Sequence, residues 1–463
     1  MIQHDLMKLY HAADIHLGRR RLDGRLPDDD IVAAFRFIAE EAIREKADVF
    51  LLAGDLFDRP QVEPPHLRQA QEVLRWLKSA GIPVIAIEGN HDKQFVNTDA
   101  PTWVRFLADD DLLMLLRPEF HAEGVRLNEW NTESRTGAWV EIDGVRFVGA
   151  GYLGAATPNK VRQIIDQMPT GKTQVLLLHA GPEYFVGEGG GFSKEDLQML
   201  KDKVCYLALG HIHKPMLYGG WACNPGSPEN CDLREASYSH GKDGTPVGRG
   251  YAVLEIDPSK PDQPTSLEIR SNPRRPCSRV ELDCTAFGSK TKNGADAFMS
   301  AAVKAIKEGN PDKTAVIELM LTGSLNLNRI ALDLNKAALE IAEHAVVFAV
   351  AIDTTRLNIG NGFAAGGAAG VDVLPRDELE RRAILQLVDN QPLWGLQEEH
   401  QAFADLFYEV KELVRDGQTG EAIASQIGIS PLIEKVRVAT ATSPPVSALQ
   451  NSGEPVAATE GTQ

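Results

Sequence analysis

The chain has 463 residues, 43% hydrophobic and 24% charged, the composition of a folded globular protein too long for one ordinary core. Lys and Arg number 48 against 65 Asp and Glu, a net charge of -17 that argues mildly against nucleic acid unless a local basic strip does that work. Five scattered cysteines without a CxxC, no apolar signal region at the N-terminus and no run of 18 apolar residues exclude a disulfide framework and a membrane span, so reduced thiols in a cytoplasmic setting are expected.

Short apolar runs alternate with helical patterns from the start. "KLYHAAD" (8 to 14) reads as a strand, and "DIVAAFRFIAEEAIREK" (30 to 46) places Ile31, Ala34, Phe35, Ile38 and Ala42 on one helical face. "DVFLLAGD" (48 to 55) is a second strand, a helix follows near 64 to 80, and "PVIAIEGNHDKQF" (83 to 95) opens with a third strand. This βαβ alternation implies α/β architecture, a sheet with helices on its faces. Further strands are expected at 145 to 153, 174 to 181, 205 to 213 and 250 to 257.

A first domain, 1 to 272, ends at the connector "SNPRRP", and a smaller α+β unit follows over 273 to 356: strand, helix "ADAFMSAAVKAIKE", strand, helix "LNRIALDLNKAALEIA", strand. The Gly/Ala-rich stretch 357 to 374 offers little to pack and reads as a linker. Amphipathic helices occupy 375 to 437, one of them with Phe403, Leu406, Phe407, Val410 and Val414 on a stripe, and 438 to 463 has the composition of a disordered tail.

The polar residues of the first domain gather where expected strands stop. They are Asp14 and His16 in "DIH", Asp55 in "AGDLFD", Asn90 and His91 in "GNHD", His179 in "LLLHAG", and His211 and His213 in "GHIH". In open α/β architectures these strand ends share one rim, where sites form. DIH and HIH put two donors at i and i+2, on one turn facing one centre. Carboxylate, amide and imidazole donors together suit manganese, iron or zinc better than calcium. Seven donors exceed the needs of one tetrahedral ion, so two ions are inferred, and a pair roughly 3.5 to 4 Å apart could polarise a phosphate and activate water.

"DIH", "GDLFD", "GNHD", "H" and "GHIH", in this order, resemble the calcineurin-like metallophosphoesterases, and "HAADIHLG", "IEGNHD", "LALGHIHKP" and "NPGS" (224 to 227) resemble specifically the SbcD nucleases, bacterial counterparts of the Mre nuclease. The strong resemblance covers about residues 8 to 255. It implies a four-layer α-β-β-α sandwich with a smaller α+β capping domain and a C-terminal helical segment. It implies one metal on Asp14, His16 and His213, a second on Asn90, His179 and His211, and Asp55 bridging them. His91 is then left to stabilise the phosphorane or protonate the leaving 3'-oxygen, with Asp92 orienting it and Gly89 allowing a sharp turn. Asp58 stands where archaeal members often carry a histidine, which bears on substrate handling and not on metal binding.

The implied activity is a two-metal, manganese-dependent DNA nuclease: a 3'-to-5' exonuclease and structure-specific endonuclease acting on ends and hairpins, nucleoid-associated and homodimeric. The unit 273 to 356 would cap DNA, and the helices of 375 to 437 would dock an SbcC-like SMC-family ATPase. Arg19, Arg20 and Arg21 in "GRRRLDGR", with Lys93 and Lys214, are the candidate phosphate grips. The fold also serves phosphatases of small nucleotides and phosphoproteins, and a scaffold without chemistry is a further alternative.

Overall fold

In a computed structural model the described residues are 6–21, 29–93, 101–121, 123–186, 191–239, 247–261, 263–287, 294–324, 333–358 and 400–415, with 424, 425 and 428. Residues 359 to 374 of the expected linker, 375 to 399 of the expected helical segment and the tail from 438 lie outside them, while Leu357 and Asn358 end a strand. The chain divides into two compact units, Met1–Phe363 and Ala364–Gln463.

As the four-layer expectation requires, the first unit builds two sheets of six strands each. The first runs in the order Ser266–Ser271, Gly250–Ile256, Met7–Ala12, Val49–Ala53, Val84–Ile87 and Met114–Leu115. The second runs Met216–Tyr218, Ala222–Asn224, Tyr206–Gly210, Gln174–His179, Val145–Ala150 and Trp139–Ile142. The central strands of both are parallel.

Strand alternation explains why two sheets form. In the first sheet Tyr10, Phe50, Leu52, Val84 and Ala86 point out to Phe35, Ile38, Leu74 and Leu77 of the helices Asp29–Arg44 and Pro64–Ser79. Their neighbours Leu9, Leu51, Ile85 and Ile87 point inward, where they meet Val145, Phe147, Val175, Leu177 and Ala208 of the second sheet. The other face of the second sheet, with Val148, Leu176, Leu178 and Leu209, is covered by Val161, Ile164 and Leu200 of helices Thr157–Gln167 and Lys194–Lys201. Both faces of every central strand are therefore apolar, which is why these segments read as continuous runs. The layers are helix, sheet, sheet, helix, and the parallel strands bring their C-terminal ends to one rim.

The edge strands Trp139–Ile142, Met216–Tyr218 and Ser266–Ser271 escape the sequence reading, because they are short and only half buried. Residues 277 to 358 form a third, three-stranded parallel sheet with its own core, in which Phe298, Ala302 and Ile306 of helix Gly294–Glu308 pack on Ile317, Leu319 and Leu321. The second helix of this region is Leu334–Ala345, and residues 327 to 332 of the expected helix lie outside the described residues. Asp333 caps it by accepting from the backbone N–H groups of Asn335 and Lys336. In the second unit, helix His400–Arg415 exposes Phe407.

His11 lies between the two large sheets, fully buried, with Nδ1 2.8 Å from the Tyr206 hydroxyl. Burial pushes its pKa down to about 3. The unfolded chain takes up this proton near 6.5. The stability it contributes is thus complete above about 6.5 and is lost as pH falls toward 3. H11Q keeps a partner for the Tyr206 hydroxyl without titrating. Urea unfolding between pH 6 and pH 4 is expected to show a shallower loss of stability in H11Q, by up to about 1.4 kcal/mol per pH unit. Parallel slopes in the two proteins would show that His11 does not carry the acid sensitivity.

Candidate metal centre

Five loops leave the rim of the two sheets, and their backbone is under strain where it delivers the candidate ligands. Asp14, His16, Asp55 and His211 all have positive φ, 54°, 55°, 53° and 90°, a region L-residues seldom occupy. Gly54 follows them at 90°, and a Cβ there would stand 2.3 Å from His179 Nδ1. Gly89 is required for a different reason than the sharp turn expected of it. Its φ is ordinary, but a Cβ would lie 2.0 Å from Asp55 Oδ1 and 2.4 Å from the Asp55 backbone nitrogen. Close approach of two loops, not turn conformation, selects glycine there.

The structure brings all seven expected donors together. His16 Nε2 and His213 Nε2 stand 3.0 Å apart. Asn90 Oδ1 is 3.2 Å from His179 Nε2 and 2.9 Å from His211 Nδ1. Asp55 lies between these two groups, with Oδ2 3.2 Å from His179 Nε2 and 3.7 Å from His16 Nε2. Asp14 Oδ1 is 4.0 Å from His179 Nε2, and both its oxygens accept from the His211 backbone N–H. The rings of His16 lie 4.8 Å from His91 and 4.9 Å from His213, and those of His179 and His211 are 5.1 Å apart.

Several rings are held by their far nitrogens. His179 Nδ1 is 2.8 Å from the Ala53 carbonyl and His213 Nδ1 is 2.7 Å from Glu235 Oε1, both pure acceptors. Each Nδ1 therefore donates, and Nε2 is the atom aimed at the centre. Glu235 is itself pinned by the fully buried Arg249, whose Nη2 is 3.0 Å from Oε2. The sequence reading missed Glu235, since a carboxylate far from any strand end resembles a surface residue until the fold buries it.

His91 is oriented otherwise than expected. Its Nδ1 lies 2.7 Å from the Asp58 carbonyl, and its backbone N–H donates to Asp55 Oδ1. Asp92 does not orient it. That buried carboxylate accepts from the backbone N–H groups of Phe57 and Gly89, so it locks the two loops together. Asp58, also buried, sits 3.5 Å from His16 Nδ1 and 3.1 Å from Arg19.

Of the candidate phosphate grips, Arg21 is corrected outright. It is buried at 6% exposure, 3.0 Å from Asp30 and 3.4 Å from Glu229, and its charge is spent inside the protein. Lys93 donates to the Tyr152 carbonyl. Arg19 is partly exposed beside Asp58, Arg20 is exposed beside Glu63, and Lys214 is exposed.

The electrostatics fit cations. Burial alone would raise the Asp55 carboxyl, yet the His179, His16 and His91 imidazoles hold it below its usual range. Burial likewise opposes charge on His179 and His213, but Asp55 raises the first to about 9, and Cys231 with Glu235 raises the second to about 11. Burial and the neighbouring His179 push His211 down to about 4. Protons on His179 and His213 thus neutralise carboxylates in a pocket built for positive charge. Among the described residues, Asp14–His16–Asp55 and His16–His213–Cys231 each present donors close enough together for one ion.

Residues 7–215 match the family model for calcineurin-like phosphoesterases. The matched segment contains every candidate donor of the centre, His213 being the last. Similar proteins include a DNA double-strand break repair protein Mre11 of Archaeoglobus fulgidus, 33% identical over 50% of this chain and 52% of that protein. Another Mre11 of Aeropyrum pernix is 29% identical over 61% of this chain and 65% of its own. The chain thus spans between about half and two thirds of the length of these relatives. A solved dimetal phosphatase of Danio rerio aligns with 54% of this chain and 92% of its own at 12% identity and a TM-score of 0.31.

If Glu235 fixes His213, E235Q keeps the shape and removes the charge. Calorimetric titration of the chelator-stripped protein is expected to show metal affinity about tenfold weaker, at the low end of the 10–100-fold typical of such partners. Unchanged affinity would mean that His213 needs no carboxylate behind it.

Proposed function

We propose that the chain is a two-metal DNA nuclease subunit. The observation that carries the reading is the constellation around Asp55: seven donors in two groups, with one further histidine, His91, against the same carboxylate. Asp14, His16 and His213 would hold one ion, Asn90, His179 and His211 the other, and Asp55 both. Divalent ions held there supply Lewis-acid charge to phosphoryl oxygens and acidify a water. The mixed oxygen and nitrogen donors accommodate manganese.

The protein's own groups supply the rest. His91 Nδ1 is committed to the Asp58 carbonyl, which leaves Nε2 to give a proton to the departing 3'-oxygen. Arg19, held by Asp58 at the same rim, is placed to bind a neighbouring phosphate. Arg19, Arg20 and Arg234 line a cleft of about 580 Å³ that the third sheet closes with Glu318, Asp353 and Thr355. That position supports a capping role for residues 273 to 356.

DNA as substrate is supported by the names of the similar archaeal proteins, which are break-repair proteins. Exonuclease and hairpin-endonuclease action, an SbcC-like ATPase docked by the C-terminal helices, homodimerisation and association with the nucleoid complete the proposal. Among the described residues no helix is long and apolar enough to cross a membrane.

The test is cleavage of an end-labelled DNA hairpin with manganese, with and without a cognate ATPase and ATP. H91A is expected to keep both metals and lose at least 100-fold in turnover, within the range for general acids of about 10²–10⁴. D55A is expected to lose metal and activity together. Cleavage by H91A at the wild-type rate would remove the proton-transfer role. Inert wild-type protein with metals bound, active on a small phosphodiester, would move the reading to a small-substrate phosphoesterase.

A further inference from the structure

Cys231 belongs to none of the ligand groups above, yet it lies among them. Its Sγ and nitrogens of His16 and His213 are all within 4.8 Å of one another. The residue is buried at 6% exposure, and its backbone N–H donates to Glu235 Oε2, the same carboxylate that holds His213. The loop that orients one ligand therefore also fixes the position of the sulfur. The hydrogen bond from Sγ to the Glu229 carbonyl is long, 4.0 Å.

Two further observations point to a cation at this spot. His16 Nε2 and His213 Nε2 face each other at 3.0 Å, an arrangement that needs a shared proton or a shared ion. His16 is almost wholly buried at 1% exposure, and its Nδ1 faces the Asp58 carboxylate at 3.5 Å, which leaves Nε2 for an ion. Donors sharing an ion tetrahedrally at about 2.0–2.3 Å lie roughly 3.5 Å apart, so the three atoms, now within 4.8 Å of one another, draw closer when an ion binds.

Resting on the two-metal reading, we propose that Cys231 is a thiolate ligand of the ion held by His16 and His213. On loading, the thiol releases its proton to solvent and the sulfur donates a lone pair to the metal. The consequence is selectivity. An all nitrogen-and-oxygen site takes manganese readily, whereas a thiolate added to two imidazoles favours softer ions such as zinc, cobalt or cadmium. One of the two positions would then differ from the other in its preferred metal.

The chelator-stripped full chain is titrated anaerobically with cobalt(II) and followed by absorption. Visible ligand-field bands report binding, and a near-ultraviolet thiolate-to-cobalt charge-transfer band reports sulfur. The wild type is expected to show both, and C231S the first alone, with cadmium affinity at least tenfold weaker by calorimetry and manganese affinity within about twofold. Circular dichroism of metal-free C231S verifies its fold. Ligand-field bands without charge transfer in the wild type would overturn the proposal whatever the variant does, leaving the two-metal reading intact and Cys231 as a neighbour of the His213 ring. Persistence of the band in C231S would also overturn it. No cobalt bound at all would sink the two-metal reading and this inference with it.

Discussion

The structure turns on the contact between the loop that carries Asp55 and the loop that carries Asn90. Only a glycine at position 89 lets them meet, since a methyl group there would sit 2.0 Å from Asp55 Oδ1. The buried Asp92 secures the contact by accepting from Gly89 and from Phe57, one backbone N–H on each loop. Asp55 Oδ1 in turn accepts from the His91 backbone. One carboxylate thus has one oxygen committed to the protein and the other turned to His16 and His179, which is what a shared ligand requires. The positive φ angles at Asp14, His16, Asp55 and His211 are the cost of aiming four side chains from three strand ends at this point.

Charge makes the same centre unstable without ions. Asp14, Asp55 and Asp58 are buried within a few ångströms of one another's partners; imidazoles face Asp14 and Asp55, while Asp58 is also met by Arg19. Protons on His179 and His213 serve in place of metal, at the expense of Nε2 atoms that would otherwise be donors. Protons and metals therefore compete for the same nitrogens, and affinity must fall with acidity. His91 stands beside these histidines. Its ring touches His16, its Nδ1 lies against the Asp58 carbonyl, and its backbone N–H donates to Asp55.

Much of this was legible in the chain because the ligands stand at the ends of buried parallel strands. Such strands are apolar on both faces, so a polar residue marks where the strand stops, and the seven donors could be named one by one. The second sheet was invisible to periodicity, because inward and outward residues in Leu176 and Leu177 are equally apolar and do not say which layer each meets. Glu235 was missed for a related reason: its importance comes from burial by distant segments, not from local pattern. Arg21 is the reverse error. It looked like a solvent-facing cation in a basic run, and only the approach of Asp30 and Glu229 makes it an internal counter-charge.

Those non-local contacts also tie the metal centre to the third sheet. Glu235 orients His213 and is held by Arg249, whose carbonyl accepts from Arg274 Nη2. Arg274 also donates toward the Pro228 and Ser227 carbonyls of the loop that carries Cys231, while the adjacent Arg275 pairs with Asp30 and lies over the Phe348 ring, 3.9 Å from its centroid. The connector "SNPRRP", which by composition reads as a passive link, is therefore a polar strut, held by its half-buried Arg274 and Arg275, between the residues behind His213 and the third sheet. Removing one partner from such a set leaves another charge buried without compensation, at about 3–5 kcal/mol for an ion pair. A rotation of the third sheet that kept the connector rigid would have to move the Glu229–Glu235 loop with it. The geometry of His213 is thus set as much by residues beyond 270 as by the strand that delivers it.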